Sequence, residues 1–164
     1  MLSKISPCLW FDGQAEDAAT FYTSIFRNSK ITAISHYGEA GHEVHGQKAG
    51  TVLTVSFELE GISFTALNGG PLFKFNEAVS FQIDCQTQEE VDYFWDKLSA
   101  GGPSEAQQCG WLKDKFGLSW QVVPSILPSL ISHPDTVKSQ RAFQALMDMK
   151  KLDIAALQRA FDGE

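Results

Sequence analysis

Cys109–Pro124 reads CGWLKDKFGLSWQVVP, the pattern of a β-hairpin. Trp111 and Leu112 open a short strand. Asp114-Lys115-Phe116-Gly117 supplies a turn, with Asp first and Gly last. Ser119 to Val123 alternates as a second strand, and Pro124 ends it, because a ring nitrogen cannot donate to a ladder. The hairpin carries two tryptophans and one uncharged amide, Gln121, on a single piece of sheet.

Upstream of the hairpin, Val79–Cys85 reads as a strand. Thr87, with Glu90 three residues on, has the form of a capping box. The helix that follows carries Val91, Phe94, Trp95 and Leu98 on one face, and Gly101-Gly102-Pro103 stops it. Short strands around Ala106–Cys109, Trp111-Leu112 and Ser119–Val123 complete this half. The first half repeats the order. Ile5–Phe11 is a strand and Gln14–Phe26 a helix with Ala18, Phe21, Tyr22 and Ile25 at i, i+3, i+4 and i+7. Ile31–Tyr37, Val52–Leu59 and Ile62–Leu67 are three further strands, the last two joined through Glu60-Gly61. A shift of 73 residues lays Glu16-Asp17-Ala18 on Glu89-Glu90-Val91, Phe21-Tyr22 on Phe94-Trp95 and Ile25 on Leu98.

Each half therefore reads strand–helix–three strands. One such unit leaves a sheet face and two edges unburied, so two copies are expected to pack together. The expected fold class is α+β: two βαβββ modules, about 1–71 and 76–124, forming a curved mixed sheet around a cleft within a domain of residues 1–130. Residues 131–164 are expected to be a helical extension, not an independent domain. Asp135 and Asp153 are placed to cap its two helices, whose apolar faces need this chain or a partner subunit to lie on.

Composition narrows the function classes. The 164 residues carry a net charge of −7, and the chain has no basic run, which argues against a nucleic-acid partner. MLSKISPCLWFDG has no long apolar run, so neither a signal peptide nor a membrane span is expected. Cys8, Cys85 and Cys109 are widely spaced and read as buried thiols in a reducing, cytoplasmic compartment.

The candidate ligand-binding residues are Gln121, Ser80, Gln82, Trp111 and Asn68. Ser80 and Gln82 alternate with Phe81 and Ile83, and polar residues on an otherwise buried strand need a partner. Trp111 starts the last hairpin. Gln121 reads equally well as a ligand-orienting amide or as a sheet residue bonded to its neighbours. Asn68 reads first as a turn-former in Asn-Gly, and Asp114 likewise in its turn. His36, His42 and His45, with Glu39 and Glu43, lie in a glycine-rich loop. They are an alternative metal or general-base set, against the plainer reading of a solvated loop.

FDGQAEDAATFY (11–22), FTALNGGP (64–71), EAVSFQIDCQTQEEVDYFWDKL (77–98) and the hairpin itself resemble the PhnB-like family. Even ALMDMKKLDIAALQRAF (145–161) resembles the C-terminal extension of one branch. That family is labelled 3-demethylubiquinone-9 3-methyltransferase and belongs to the vicinal-oxygen-chelate (glyoxalase/bleomycin-resistance/dioxygenase) superfamily. The resemblance implies a cleft that in relatives holds a divalent metal, with His, Gln or Glu donors. Carried over, those positions fall on Gln121, near Ala78, near Ile5 or Pro7, and near Thr65 or Leu67. Gln121 alone is a donor there, so no metal and no cofactor is expected. Methyl transfer from S-adenosylmethionine is usually done on a doubly wound sheet with a glycine-rich turn after its first strand, which is absent here. The expected function is binding of a small, apolar or aromatic molecule by a homodimer. The alternative is an enzyme acting on a small metabolite, isomerase-, lyase- or dioxygenase-like, or the methyltransferase of the label.

Overall fold

In the computed structural model, which describes residues 4–164, the chain divides into one unit ending at Phe75 and another running from Asn76 to Glu164. Residues 1–3, counted in the expected first module, lie outside the described residues. The first unit contains β1 (Cys8–Phe11), α1 (Ala15–Ile25), β2 (Ser29–His36), α2 (His42–His45), β3 (Val52–Leu59) and β4 (Ile62–Asn68). Its sheet order is β1-β4-β3-β2, with β1 parallel to β4 and the other pairs antiparallel. Alternation along β3 and β4 buries Val55, Phe57, Leu59, Phe64 and Ala66. The matching stripe of α1 is Ala15, Ala18, Ala19, Tyr22 and Ile25. Tyr22 and Phe57 stack with their ring centroids 6.2 Å apart.

The second unit contains β5 (Ser80–Cys85), α3 (Gln88–Ser99), β6 (Trp111–Lys113), β7 (Ser119–Pro124), α4 (Leu127–Ile131), α5 (Thr136–Met147) and α6 (Ile154–Asp162). Its sheet order is β5-β7-β6, again with the first strand parallel to the last. The chain is thus α+β, with a mixed sheet in each unit. The duplication extends to burial. Ala18, Tyr22 and Ile25 are buried like Val91, Trp95 and Leu98, while Phe21 and Phe94 are both half-buried. Thr87 Oγ1 accepts from the Glu90 amide, as a capping residue does. The Glu90 carboxylate accepts from the Gln86 amide, one residue earlier than the reciprocal box requires.

The second half has one strand fewer than expected. Ser104–Ala106 is a 3-10 turn, and Gln108 makes one isolated bridge to Trp111. The reason is local. Pro103 has no N–H to give a ladder. Cys109 and Gly110 sit at φ +52° and +84°, and their amides donate to Met149 and Lys150. Those donors are therefore spent on the C-terminal segment.

That segment packs on its own chain. Leu127, Leu130, Ala142, Leu146, Leu152, Leu157 and Phe161 form one buried cluster, against which Cys109 and Val123 pack. The short helix α4 was not expected from the sequence. Asp135 accepts from the Val137 and Lys138 amides, and Asp153 from that of Ala156, so both helices have the expected caps. Gln88 on α3 bonds both the Leu152 carbonyl and the Ile154 amide. Beside it, the Lys151–Asp92 ion pair holds the Asp92 carboxyl below its usual range. No helix among the described residues is long and apolar enough to cross a membrane.

Candidate functional site

The sheet of the second unit has one core face and one polar face. Phe81, Ile83 and Cys85 of β5, Trp120 and Val122 of β7, and Leu112 of β6 share the first. Residues paired across a ladder point to the same side. The polar face therefore carries Ser80, Ser119 and Lys113 in one row and Gln82, Gln121 and Trp111 in the next. The structure brings four of the five expected binding residues together here. Gln121 Nε2 donates to Ser80 Oγ at 2.9 Å. Gln82 Nε2 reaches Gln121 Oε1 at a long 3.4 Å. Ser80, Gln121 and Trp111 are half-buried, and Gln82 is exposed.

Chemically this face is a donor and acceptor platform. Gln121 keeps a second N–H and a spare lone pair, Ser80 keeps its hydroxyl hydrogen, and Gln82 keeps its carbonyl oxygen. Trp111 sets an aromatic ring beside them. Two neighbours were missed in the sequence. Ser119 is 1% exposed, and its hydroxyl has no hydrogen-bond partner. Leaving such a group unpaired costs roughly 1–3 kcal/mol. Lys113 pairs with the Glu77 carboxylate, and that hydrogen bond holds the Glu77 carboxyl below its usual value. Strand parity with Gln121 and Trp111 would have found Ser119 and Lys113. Glu77, in a loop, has no such signal.

Asn68 belongs to the first unit and has a different environment. It is 6% exposed. Its Oδ1 accepts from the Ala15 amide at 2.9 Å, and its Nδ2 donates to the Val52 carbonyl at 3.0 Å. Gln14, at the start of α1, gives no side-chain cap, so Asn68 supplies one from the end of β4. Asn68 also borders a cavity of about 410 Å³, with Gly13, Glu16, Asp17, Gln47 and Thr51 among its lining residues.

The metal positions that the resemblance implies do not fit a cation here. On β1 the residues sharing a face with Thr65 and Leu67 are Cys8 and Trp10, whereas Ile5 and Pro7 precede the strand. Ala78 likewise precedes β5 and is exposed. Gln121 is paired with hydroxyls and amides, and the carboxylates of the adjoining rows, Asp84 and the Glu77 held by Lys113, are not gathered with a third such donor among the described residues, as a divalent ion requires. In the loop, His45 Nδ1 accepts from the Gln47 amide at 2.9 Å, and Nε2 lies 3.1 Å from the Ala40 carbonyl. The proton is therefore on Nε2, and both ring nitrogens are engaged. The His42 ring is 6.1 Å from His45 and edge-on to it. Among the described residues no three His, Cys, Asp or Glu side chains, His36 included, gather as a metal-holding group.

The cysteines are not alike, which corrects the expectation of three buried thiols. Cys8 is exposed, Cys109 half-buried and Cys85 buried. Cys8 opens β1 on the face away from α1, and so escapes the core. Burial, reinforced by the Glu90 and Asp84 charges, pushes the Cys85 thiol up to about 12. In the native protein an aromatic disulfide reagent at pH 8 will therefore modify Cys8 within minutes. Cys85 will react only after denaturant is added, as peptide mapping will show. The raised thiol also sets a direction. Its contribution to stability is whole below the ordinary thiol value near 9 and is lost as the pH rises toward 12.

A family model described as 3-demethylubiquinone-9 3-methyltransferase matches residues 3–123, so α4 to α6 lie beyond the match. No curated protein sequence matches the chain. A solved structure of a PhnB protein from Bacillus cereus is 37% identical. It covers 74% of this chain and 99% of its own, with a TM-score of 0.63. A protein from Pseudomonas aeruginosa is 17% identical over 75% of this chain and 98% of its own, with a TM-score of 0.57, a likeness of fold. The fosfomycin resistance protein FosX from Listeria monocytogenes is 16% identical over 76% of this chain and 94% of its own, with a TM-score of 0.47.

Proposed function

This chain belongs to the 3-demethylubiquinone-9 3-methyltransferase family, the PhnB-like branch of the vicinal-oxygen-chelate superfamily, and from that premise we propose that it binds a small apolar or aromatic molecule. The proposed seat is the polar sheet face of the second unit, and binding there does not use the superfamily's metal. The observation that carries this reading is the hydrogen-bonded set Ser80–Gln121–Gln82 beside Trp111. Amides and hydroxyls that keep spare donors and acceptors next to an aromatic wall orient a ligand without trapping charge.

The test is a fragment screen followed by NMR of the indole and amide side-chain resonances. A bound aromatic fragment is expected to shift Trp111 and Gln121, and Gln121→Leu is expected to weaken it about three- to tenfold, the worth of one hydrogen bond. Fragments that bind elsewhere and ignore Gln121→Leu would overturn the proposal. The family's printed description supports a second reading, methyl transfer. Against it, Asp12-Gly13-Gln14 is the whole connection between β1 and α1, without the glycine-rich turn of nucleotide-binding sheets. A thermal-shift titration with S-adenosylmethionine separates the two, since a ligand of the native state must raise its melting temperature. We also place the protein in the cytoplasm, which its three free thiols support, and as a homodimer that would cover exposed Ile62 and Leu72.

A further inference from the structure

We propose that the polar face of the second unit selects carboxylates, and that Glu77 is an internal competitor holding the anion position at Lys113. The inference rests on the ligand-binding reading above and names the class of ligand. The Lys113 side chain is 24% exposed, while the Glu77 side chain is 63% exposed. Lys113 is thus the more enclosed partner, standing on a strand, and Glu77 is an arm from the loop before β5. A ligand carboxylate can replace that arm at equal charge, so the exchange leaves no buried ion unpaired.

The surroundings fit an oxygen ligand. Ser119 lies directly across the ladder from Lys113, and paired Cβ atoms in a sheet are about 5 Å apart. Its unpartnered, buried hydroxyl has a hydrogen bond to give. One row on, about 7 Å along the strand, Trp111 and Gln121 stand ready for the body of the ligand. A further row on is Asp84, which repels an anion from that end. The face is therefore polar along its length, and a compact aromatic acid has one orientation, its carboxylate at Lys113. The net charge of −7 opposes any anion, but screening over about 8 Å at physiological salt leaves the local ammonium in control.

The probes are phenylacetate and its neutral isostere phenylacetamide, titrated by NMR against the wild type, Glu77→Gln and Lys113→Met. The acid is expected to bind the wild type more tightly than the amide, with shifts at Trp111. Glu77→Gln is expected to tighten the acid about three- to fivefold, the worth of an exposed ion pair, and leave the amide unchanged. Lys113→Met is expected to abolish the preference for the acid. If the amide binds at Trp111 and the acid does no better in the wild type or in Glu77→Gln, this inference fails and the binding reading stands. If neither probe shifts Trp111 in the wild type or in Glu77→Gln, while Gln121→Leu alters no aromatic fragment, both fail together.

Discussion

Asp114→Ala is expected to lower stability by about 3–5 kcal/mol, among the largest effects of any single substitution in the second unit. Asp114 is 1% exposed, and its carboxylate gathers donors. Oδ1 accepts from the Phe116 and Leu118 amides at 2.8 and 3.1 Å, and Oδ2 from the Trp120 indole at 2.9 Å. Alanine leaves these buried donors facing a void. Each bond to a charged acceptor is worth about 1.5–3 kcal/mol. They share one group and do not simply add, which gives the range. Against a typical total of about 5–15 kcal/mol, such a loss brings a domain close to unfolding.

Asn at 114 separates the parts. Its amide oxygen can still serve the two backbone donors, but its NH₂ then faces the Trp120 N–H, donor against donor. Asp114→Asn should therefore fall between the wild type and alanine. The checks are denaturant melts of both variants and a double-mutant cycle with Trp120→Phe. A melt of Asp114→Ala within about 1 kcal/mol of the wild type would falsify the account. The same variants bear on the binding face. The turn that Asp114 holds fixes the register of β6 on β7, and with it the placing of Lys113 by Ser119 and of Trp111 by Gln121.

Gly102→Ala is expected to be nearly as damaging, for a steric reason. A Cβ at Gly102 would lie 2.2 Å from the Lys113 carbonyl oxygen and 3.2 Å from the backbone carbons of Lys113 and Asp114. Those are backbone atoms with no rotamer to escape into. The loop after α3 must move off β6, and overpacking of this kind costs about 1–3 kcal/mol or more. Gly117→Ala is the control. It sits at φ +88° with nothing within 4 Å, so it carries backbone strain of about 1–2 kcal/mol and no clash. Thermal melts should rank Gly102→Ala as the less stable. Equal melting temperatures would show that the loop yields freely.

Much was legible in the sequence because it follows from period and punctuation. The duplicated helices, the caps at Thr87, Asp135 and Asp153, the last hairpin, and the placing of Ser80 and Gln82 on one face of their strand all follow from residues close in sequence. Parity along a strand fixes its face before any partner is known. What only the tertiary structure decided depends on groups far apart in the chain. Asn68 reads locally as a turn residue, yet it caps a helix that begins 53 residues earlier. The amides of Cys109 and Gly110, which a strand would have used, go to carbonyls about forty residues away. Glu77 finds Lys113 from a loop with no periodicity to announce it. Composition and period determine which residues turn inward. Which distant donor meets which acceptor is settled only when the chain closes, since nearly all buried polar groups must then find a partner.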